Sequence, residues 1–477
     1  MTSPFSGLSV VGAGDGRRLR IAAASAEGLS DLEGTAAEAD GGVVLEGPLS
    51  ARNAEAVRRR VPSLRPRPIG LATSAGVGDR LGLATPGHVR AFRRFGDGIV
   101  PVFAQQSARE MDRLGRSPQQ VLDDATFGCL QAGWEHPVGS DADHLKSTAE
   151  IDRCLAAGFT SFTLDPGDHV RHLEDDPTDA QLAELPWGDL EDSADSMLRR
   201  YSDVTVDLGD GILRVSARDI RFAAAKYGPA VAHVVSMYRH LLDKAQHPVE
   251  VEVSVDETDD VTTLVEHVYL ATEMKRLGMS WVGFAPRYVG SFEKGVDYIG
   301  DAEELYRSLR HHARIAQEYG PYKISLHSGS DKFSIYQGVV EATDRLVHLK
   351  TSGTNYLVAL DVAARFAPEL FREIYETSRE AYRGARASYH VSARLERTPA
   401  ANDVPDDRLI ELVTAFDSRQ ILHVGYGPVL RTEDGSEHST AALALREVLG
   451  VRSEEYAALL ESHIGRHLAP FSTKETS

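Results

Sequence analysis

Short apolar runs alternate with longer stretches of helical period along most of the chain, and several runs alternate apolar and polar residues internally. The extended candidates are RLGLAT at Arg80, IVPVFAQ at Ile99, FTSFTLD at Phe159, VEVEVSVDE at Val249, SWVGFAPR at Ser280, YKISLH at Tyr322, RLVHLKTSG at Arg345, SYHVSA at Ser388 and ILHVGYG at Ile421. Strands separated by helical patterns build βα units around a parallel sheet. The predicted class is α/β, a (β/α)8 TIM-like barrel with a small N-terminal appendage and a helical insertion. Nine candidates exceed eight barrel strands by one, so one is an insertion strand or no strand at all. The weakly periodic, Gly- and Ala-rich start ends in the breaker-rich VPSLRPRPIG, which sets residues 1–68 apart as the appendage. The barrel then takes residues 69–470, with an acidic, proline-containing insertion at about 171–228 and a frayed tail at 471–477.

Parity within the strands assigns chemistry. In VEVEVSVDE the valines share one face, so Glu250, Glu252, Ser254 and Asp256 share the other. Helices covering the barrel claim the valines, which turns the carboxylates inward. Buried carboxylates are costly unless they meet a metal, a cation or a ligand. The same test turns Lys323, Ser325 and His327 inward from YKISLH, Asp165 from FTLD, Arg287 from WVGFAPR, and His348 and Lys350 from LVHLK. Carboxylate and imidazole groups delivered by separate strands suit Mn²⁺, Co²⁺, Ni²⁺ or Zn²⁺ with positions left open for substrate. The expected ligands are Asp165, Glu252, His327 and His390. His169 competes through the turn in LDPGDH, while His348 and His423 read as core histidines. Anion recognition falls to Arg287 and to two turns at helix starts, Ser328-Gly329-Ser330 and Ser352-Gly353-Thr354. Ordinary capping would also explain those turns.

Composition narrows the function class. A net charge of -19 repels nucleic acid and anionic membranes, so neither is an expected partner. Cys129 and Cys154 stand outside any CxxC or Cys/His cluster, which disfavours disulfides and structural zinc. No apolar run approaches the roughly 20 residues of a membrane span, and the cytoplasm is the default location. The chain has no GxxxxGK[ST] loop and no GxGxxG after a strand, and VGAGDG near Val11 reads as a turn. Nucleotide hydrolysis and dinucleotide redox chemistry lose ground. The expected partner is a small sugar acid; a homo-oligomer is compatible with the sequence, which does not specify one.

The strings GDRLGLATPGH (Gly78 to His88), FAQQSARE (Phe103 to Glu110), DADHLK (Asp141 to Lys146), FTLDPGDH, VSVDET, KISLHSGSDKFSIY and HLKTSGTNYL come in an order that resembles the tagaturonate/fructuronate epimerases. The resemblance spans roughly residues 70 to 430. It implies a metal-dependent barrel enzyme that interconverts D-tagaturonate and D-fructuronate, with Arg80, Thr85 and His88 near the barrel mouth. These sugars differ at the carbon β to the ketone, which simple enolisation does not invert. Retro-aldol cleavage, rotation of the aldehyde and re-addition would invert it, given an acid and a base. Asp256 and Lys350 are the expected pair, with Asp168 and Glu257 as substitutes, and Arg287 with the HSGS turn would hold the carboxylate. Another metal-dependent barrel enzyme acting on sugars, or a sugar-acid binder without catalysis, are the alternatives.

Overall fold

The computed structural model describes residues 7–39, 41–351, 353–432 and 437–474. Its first four strands, β1 (Leu8–Val11), β2 (Arg18–Ala23), β3 (Thr35–Ala39) and β4 (Gly42–Gly47), form an antiparallel sheet in the order β1-β2-β4-β3. Eight parallel strands then close a barrel. They are β5 (Ser74–Gly76), β6 (Val100–Ser107), β7 (Gly139–Leu145), β8 (Ser161–Leu164), β11 (Glu250–Ser254), β12 (Gly283–Ala285), β13 (Lys323–Leu326) and β14 (Val347–Lys350), which pairs back onto β5. Between β8 and β11 lie two short helices, the hairpin β9 (Thr205–Asp207) and β10 (Ile212–Arg214), and the long helix Ala217–Lys244.

Six of the nine expected strands are barrel strands. RLGLAT is instead a loop before the helix Thr85–Phe95, SYHVSA is irregular, and ILHV belongs to the helix Phe416–Val424. A four-residue apolar run fits a buried helix face as well as a strand. The two strands that pattern missed are β5, three small residues long, and β7, whose GSDADHL carries too few apolar residues to read as a strand. Capping chemistry fixes where strands hand over to helices. Ser147 and Glu150 form a reciprocal capping box directly after β7, and Gly158 ends that helix in the left-handed region.

The barrel interior is ionic where an average barrel is aliphatic. At its N-terminal end the Glu250 carboxylate accepts from the N–H groups of Ile69 and Gly70 and from Ser161 Oγ. Lys323 Nζ donates there to Ser74 Oγ and the Ala72 carbonyl. His348 Nδ1 lies 2.8 Å from Ser74 Oγ. Val251 and Val253, the alternate residues of β11, join the main hydrophobic cluster. Gly283 keeps room for this interior, since a methyl group there would come within 2.5 Å of Glu252 Oε2.

After β14 the chain turns helical. Helices Thr354–Phe366, Pro368–Ala385, Phe416–Val424, Thr440–Val451 and Ser453–Leu468 share a second hydrophobic cluster that includes Leu360, Phe371, Leu422, Leu445 and Leu460. Ser453–Leu468 packs on Thr85–Phe95 and so ties this layer to the barrel. Among the described residues no helix is long and apolar enough to cross a membrane. Cys129 and Cys154 are buried free thiols.

Candidate active site at the C-terminal mouth of the barrel

Two imidazoles face each other where β7 and β13 end. His144 Nε2 and His327 Nδ1 are 3.1 Å apart, with the rings edge to face. His327 follows β13 directly, as alternation along that strand predicts. His144 arrives differently. The β7 register shifts between Ala142 and Leu145, and His144 has φ 52°, a left-handed conformation that costs a non-glycine residue about 1–3 kcal/mol. The bulge lets Asp143 and His144, adjacent in sequence, both serve the mouth.

The outer nitrogens of both rings are held by carboxylates. Glu252 Oε1 lies 2.6 Å from His327 Nε2, and Asp165 Oδ2 lies 3.0 Å from His144 Nδ1. We assign one ring proton to each of those nitrogens, so that an ion displacing the proton shared between the rings would meet both inner nitrogens at one point. That is the arrangement in which a carboxylate orients a metal-binding histidine. Around the same point stand Asp256 Oδ1, 3.1 Å from His327 Nδ1, and Asp143 Oδ1, 3.9 Å from His144 Nε2. Donors bound to one ion at about 2.1 Å lie about 3–3.5 Å from each other, so the set is close to the required spacing. Asp143, His144 and His327 form one group that could hold a metal ion, and His144, Asp165 and Glu257 an overlapping one. The nitrogen and oxygen donors fit the divalent transition ions named above.

Electrostatics point the same way. Burial disfavours charge on His144, yet the Asp143 carboxylate and the bond to Asp165 raise it to about 10. His327 is also raised, by Asp256 and Glu252, against burial and the Lys350 charge. Asp256, buried but beside His327, falls well below the usual carboxylate range. The mouth therefore attracts positive charge at the point where the rings meet. Below it Lys350 Nζ contacts Asp141 (2.8 Å), Asp143 (2.7 Å) and Glu252 (2.9 Å). Burial opposes its charge, but these carboxylates hold its pKa well above normal.

A cavity of about 330 Å³ opens above the cluster, walled by Asp256, Glu257, Arg287, Lys294, His327 and Tyr389. A narrow inner extension reaches Asp143, His144 and Lys350. Glu257 lines both parts and is held by Arg109, at 2.7 Å. Tyr389 and His390 come from the irregular segment after the helix Pro368–Ala385, so the helical layer closes one wall. Arg109 and Arg113 both lie over the Tyr389 ring, about 5 Å from its centroid, and its hydroxyl meets that of Tyr426.

Several expected placements change. Asp165 and Glu252 reach the cluster by gripping its histidines. His390 is not on a barrel strand; its Nε2 bonds Ser291 Oγ at 2.9 Å, on the far wall of the cavity. His169 stacks on His233 at 3.9 Å between centroids, away from Asp165. Asp168 is exposed and pairs with Lys146. Ser328 lines the cavity and the buried Ser330 its inner extension, but the helix after them starts only at Tyr336, and Gly329 N–H bonds the Lys350 carbonyl. Thr354 Oγ1 serves a separate buried group, bonding Asp331 Oδ2 and His463 Nε2. Ser352 lies outside the described residues. Arg80 reaches the inner extension, paired with Glu110 and stacked on Tyr426 at 3.7 Å. Thr85 and His88 are buried in their helix, where burial lowers His88 to about 4. Sequence reasoning missed His144, Asp143 and Lys294. DADHLK contains the first two, but only the bulge aims His144 at the mouth.

Lys332 fixes the loop around this cavity. Its buried Nζ donates to the carbonyls of Glu293 (2.8 Å), Val296 (2.6 Å) and Ser330 (3.0 Å). Burial lowers its pKa from 10.5 to about 7. Between those values the unfolded chain binds a proton that the folded one releases, so stability rises with pH by up to about 1.4 kcal/mol per unit. Chemical denaturation from pH 7 to 10 should show wild type gaining on Lys332→Met. A constant gap between the two would refute the lowered pKa and mean that the three carbonyls keep Lys332 an ammonium.

The tagaturonate epimerase family model matches residues 17–471. The tagaturonate/fructuronate epimerase of Thermotoga maritima is 39% identical over 422 residues, covering 87% of this chain and 84% of that protein. Crystal structures of the fructuronate-tagaturonate epimerase of Cohnella laeviribosi superpose on it, one with bound glycerol at TM-score 0.84, with 33% identity over 97% of this chain and 96% of that one. The native form of that enzyme gives the same TM-score. Fold, sequence strings and full-length similarity agree, and the chain belongs to the tagaturonate epimerase family of carbohydrate isomerases.

Proposed function

We propose that this chain interconverts D-tagaturonate and D-fructuronate with a divalent metal ion, by retro-aldol cleavage and re-addition. The observation that carries the reading is the pair of carboxylate-gripped histidines facing one point at the barrel mouth, beneath a cavity that also presents Arg287 and Lys294. His144, His327, Asp143 and Asp256 would hold the ion. When bound it would supply stabilisation of the negative oxygen charge that develops as the carbon–carbon bond breaks.

The remaining work falls to the chain's own groups. A base takes the proton from the hydroxyl on the carbon β to the ketone, that carbon becomes an aldehyde, and the bonding pair passes toward the ketone oxygen. Glu257 is the carboxylate assigned to this transfer, because Asp256 is bonded to Ser254 and His327 within the ion-holding set. Lys350 keeps its proton too tightly to act as a base and serves as fixed countercharge. Arg287 would anchor the carboxylate end while the freed aldehyde turns over and re-adds.

The test is to strip metal with a chelator, add back Mn²⁺, Co²⁺, Ni²⁺ or Zn²⁺ singly, and follow both uronates by NMR in D2O. Expected is metal-restored interconversion with no deuterium at the inverted carbon, since its C–H bond is never broken. Full turnover after rigorous metal removal would sink the metal requirement, deuterium at that carbon the retro-aldol path, and inert uronates the substrate assignment.

A further inference from the structure

Lys294 stands at the passage between the outer cavity and its inner extension, on a strap from Ser291 to Ile299 whose ends pair with each other. The strap is braced from three sides. The Glu293 carboxylate accepts from Ser392 N–H and Oγ and from Gln420 Nε2. Arg419 Nε donates to the Gly295 carbonyl at 2.6 Å, and Lys332 holds the carbonyls of Glu293 and Val296. The Lys294 N–H itself bonds the His390 carbonyl. So much bracing around one residue fixes where its ammonium points.

That ammonium is bonded to Ser328 Oγ at 2.7 Å. An ammonium has three donors, and among the described residues no carboxylate comes within salt-bridge distance of it or of the Arg287 guanidinium. The other cations at the mouth each have a counterion: Lys350 three carboxylates, Arg109 Glu257, Arg80 Glu110. Two unmatched cations on the wall of a half-enclosed cavity, in a chain of charge -19, leave a place for an anion. Both also act on the His390 ring, whose pKa is lowered by burial and then by Arg287 and Lys294, against the Glu293 carboxylate. A lysine kept only for the bond to Ser328 could be a glutamine.

We infer that Lys294 and Arg287 form a two-cation clamp on the substrate's carboxylate, with Lys294 the residue that selects sugar acids over neutral sugars. The inference rests on the uronate reading above and deepens it. Ser328, in the left-handed region at φ 48°, orients the ammonium, and His390 offers the clamp a neutral ring edge. The clamp grips one end of the sugar and the histidine pair works at the other.

Lys294→Met and Lys294→Arg test it, with KM and kcat measured on both uronates and, separately, inhibition by D-galactonate and by its neutral counterpart galactitol. For Lys294→Met, KM should rise roughly 30-fold or more, far more than kcat falls, because a desolvated charge pair is lost. Lys294→Arg should recover most of that, and galactonate should lose its advantage over galactitol only in the Met variant. A KM within about twofold of wild type, or a fall in kcat at unchanged KM, overturns the clamp. The inhibitors separate this from the reaction itself. A wild type that ignores both uronates yet binds galactonate through Lys294 would refute the epimerase reading and keep the clamp. One that binds galactonate no better than galactitol would refute the clamp whatever it catalyses.

Discussion

His327→Ala should lower turnover of either uronate by at least about 10³-fold, roughly 4 kcal/mol of transition-state stabilisation, while the protein stays folded. His327 is where the strand alternation, the Glu252 grip and the contacts with His144 and Asp256 meet. Removing the ring deletes one inner donor and leaves Glu252 only its contact with Lys350. Glu252→Gln keeps the ring but weakens its orientation, so its loss should be smaller, about 10–100-fold in metal affinity or rate. Metal content by elemental analysis, read beside NMR turnover and the thermal midpoint, separates a broken site from an unfolded chain. Wild-type turnover in His327→Ala would remove the histidine pair from the chemistry.

Lys350→Met carries the largest expected cost in stability, about 3–5 kcal/mol, because one buried cation answers three carboxylates. Methionine matches the stem of the lysine but leaves Asp141, Asp143 and Glu252 facing each other inside the barrel. Adding Asp143→Asn should return part of the loss by removing one of those charges, a coupling that a double-mutant cycle in urea measures. A loss under about 1 kcal/mol would mean that the interior hydrates freely and the ion cluster is no keystone of the barrel.

Much of the barrel was legible because alternation along β11, β13 and β14 assigns faces without knowledge of neighbours. Glu250, Glu252, Lys323, His327 and Lys350 all fall inside on that argument. What alternation cannot foresee is a residue that breaks it. His144 would point away from the mouth on a regular strand, and only the bulge in β7 turns it inward. His390 failed for the converse reason: SYHVSA has a strand's residues but no neighbouring strand to pair with. Thr354 shows that a turn suited to anions can be claimed by a nearby carboxylate, here Asp331. Lys294 sits in no periodic element, so its direction comes entirely from the strap's bonds to distant segments.

The cavity draws its histidine pair from strand ends, and its opposite wall from Arg287 after β12, the strap and the segment around Tyr389, which the helical layer presents. The two sets of residues ride on different segments and meet at Ser328, which follows His327 and bonds Lys294. Sequence drift in the strap or in that segment can therefore retune which sugar enters while leaving the histidine pair and its carboxylates in place. New substrate ranges can arise from this scaffold by small steps, each of which leaves a working catalyst.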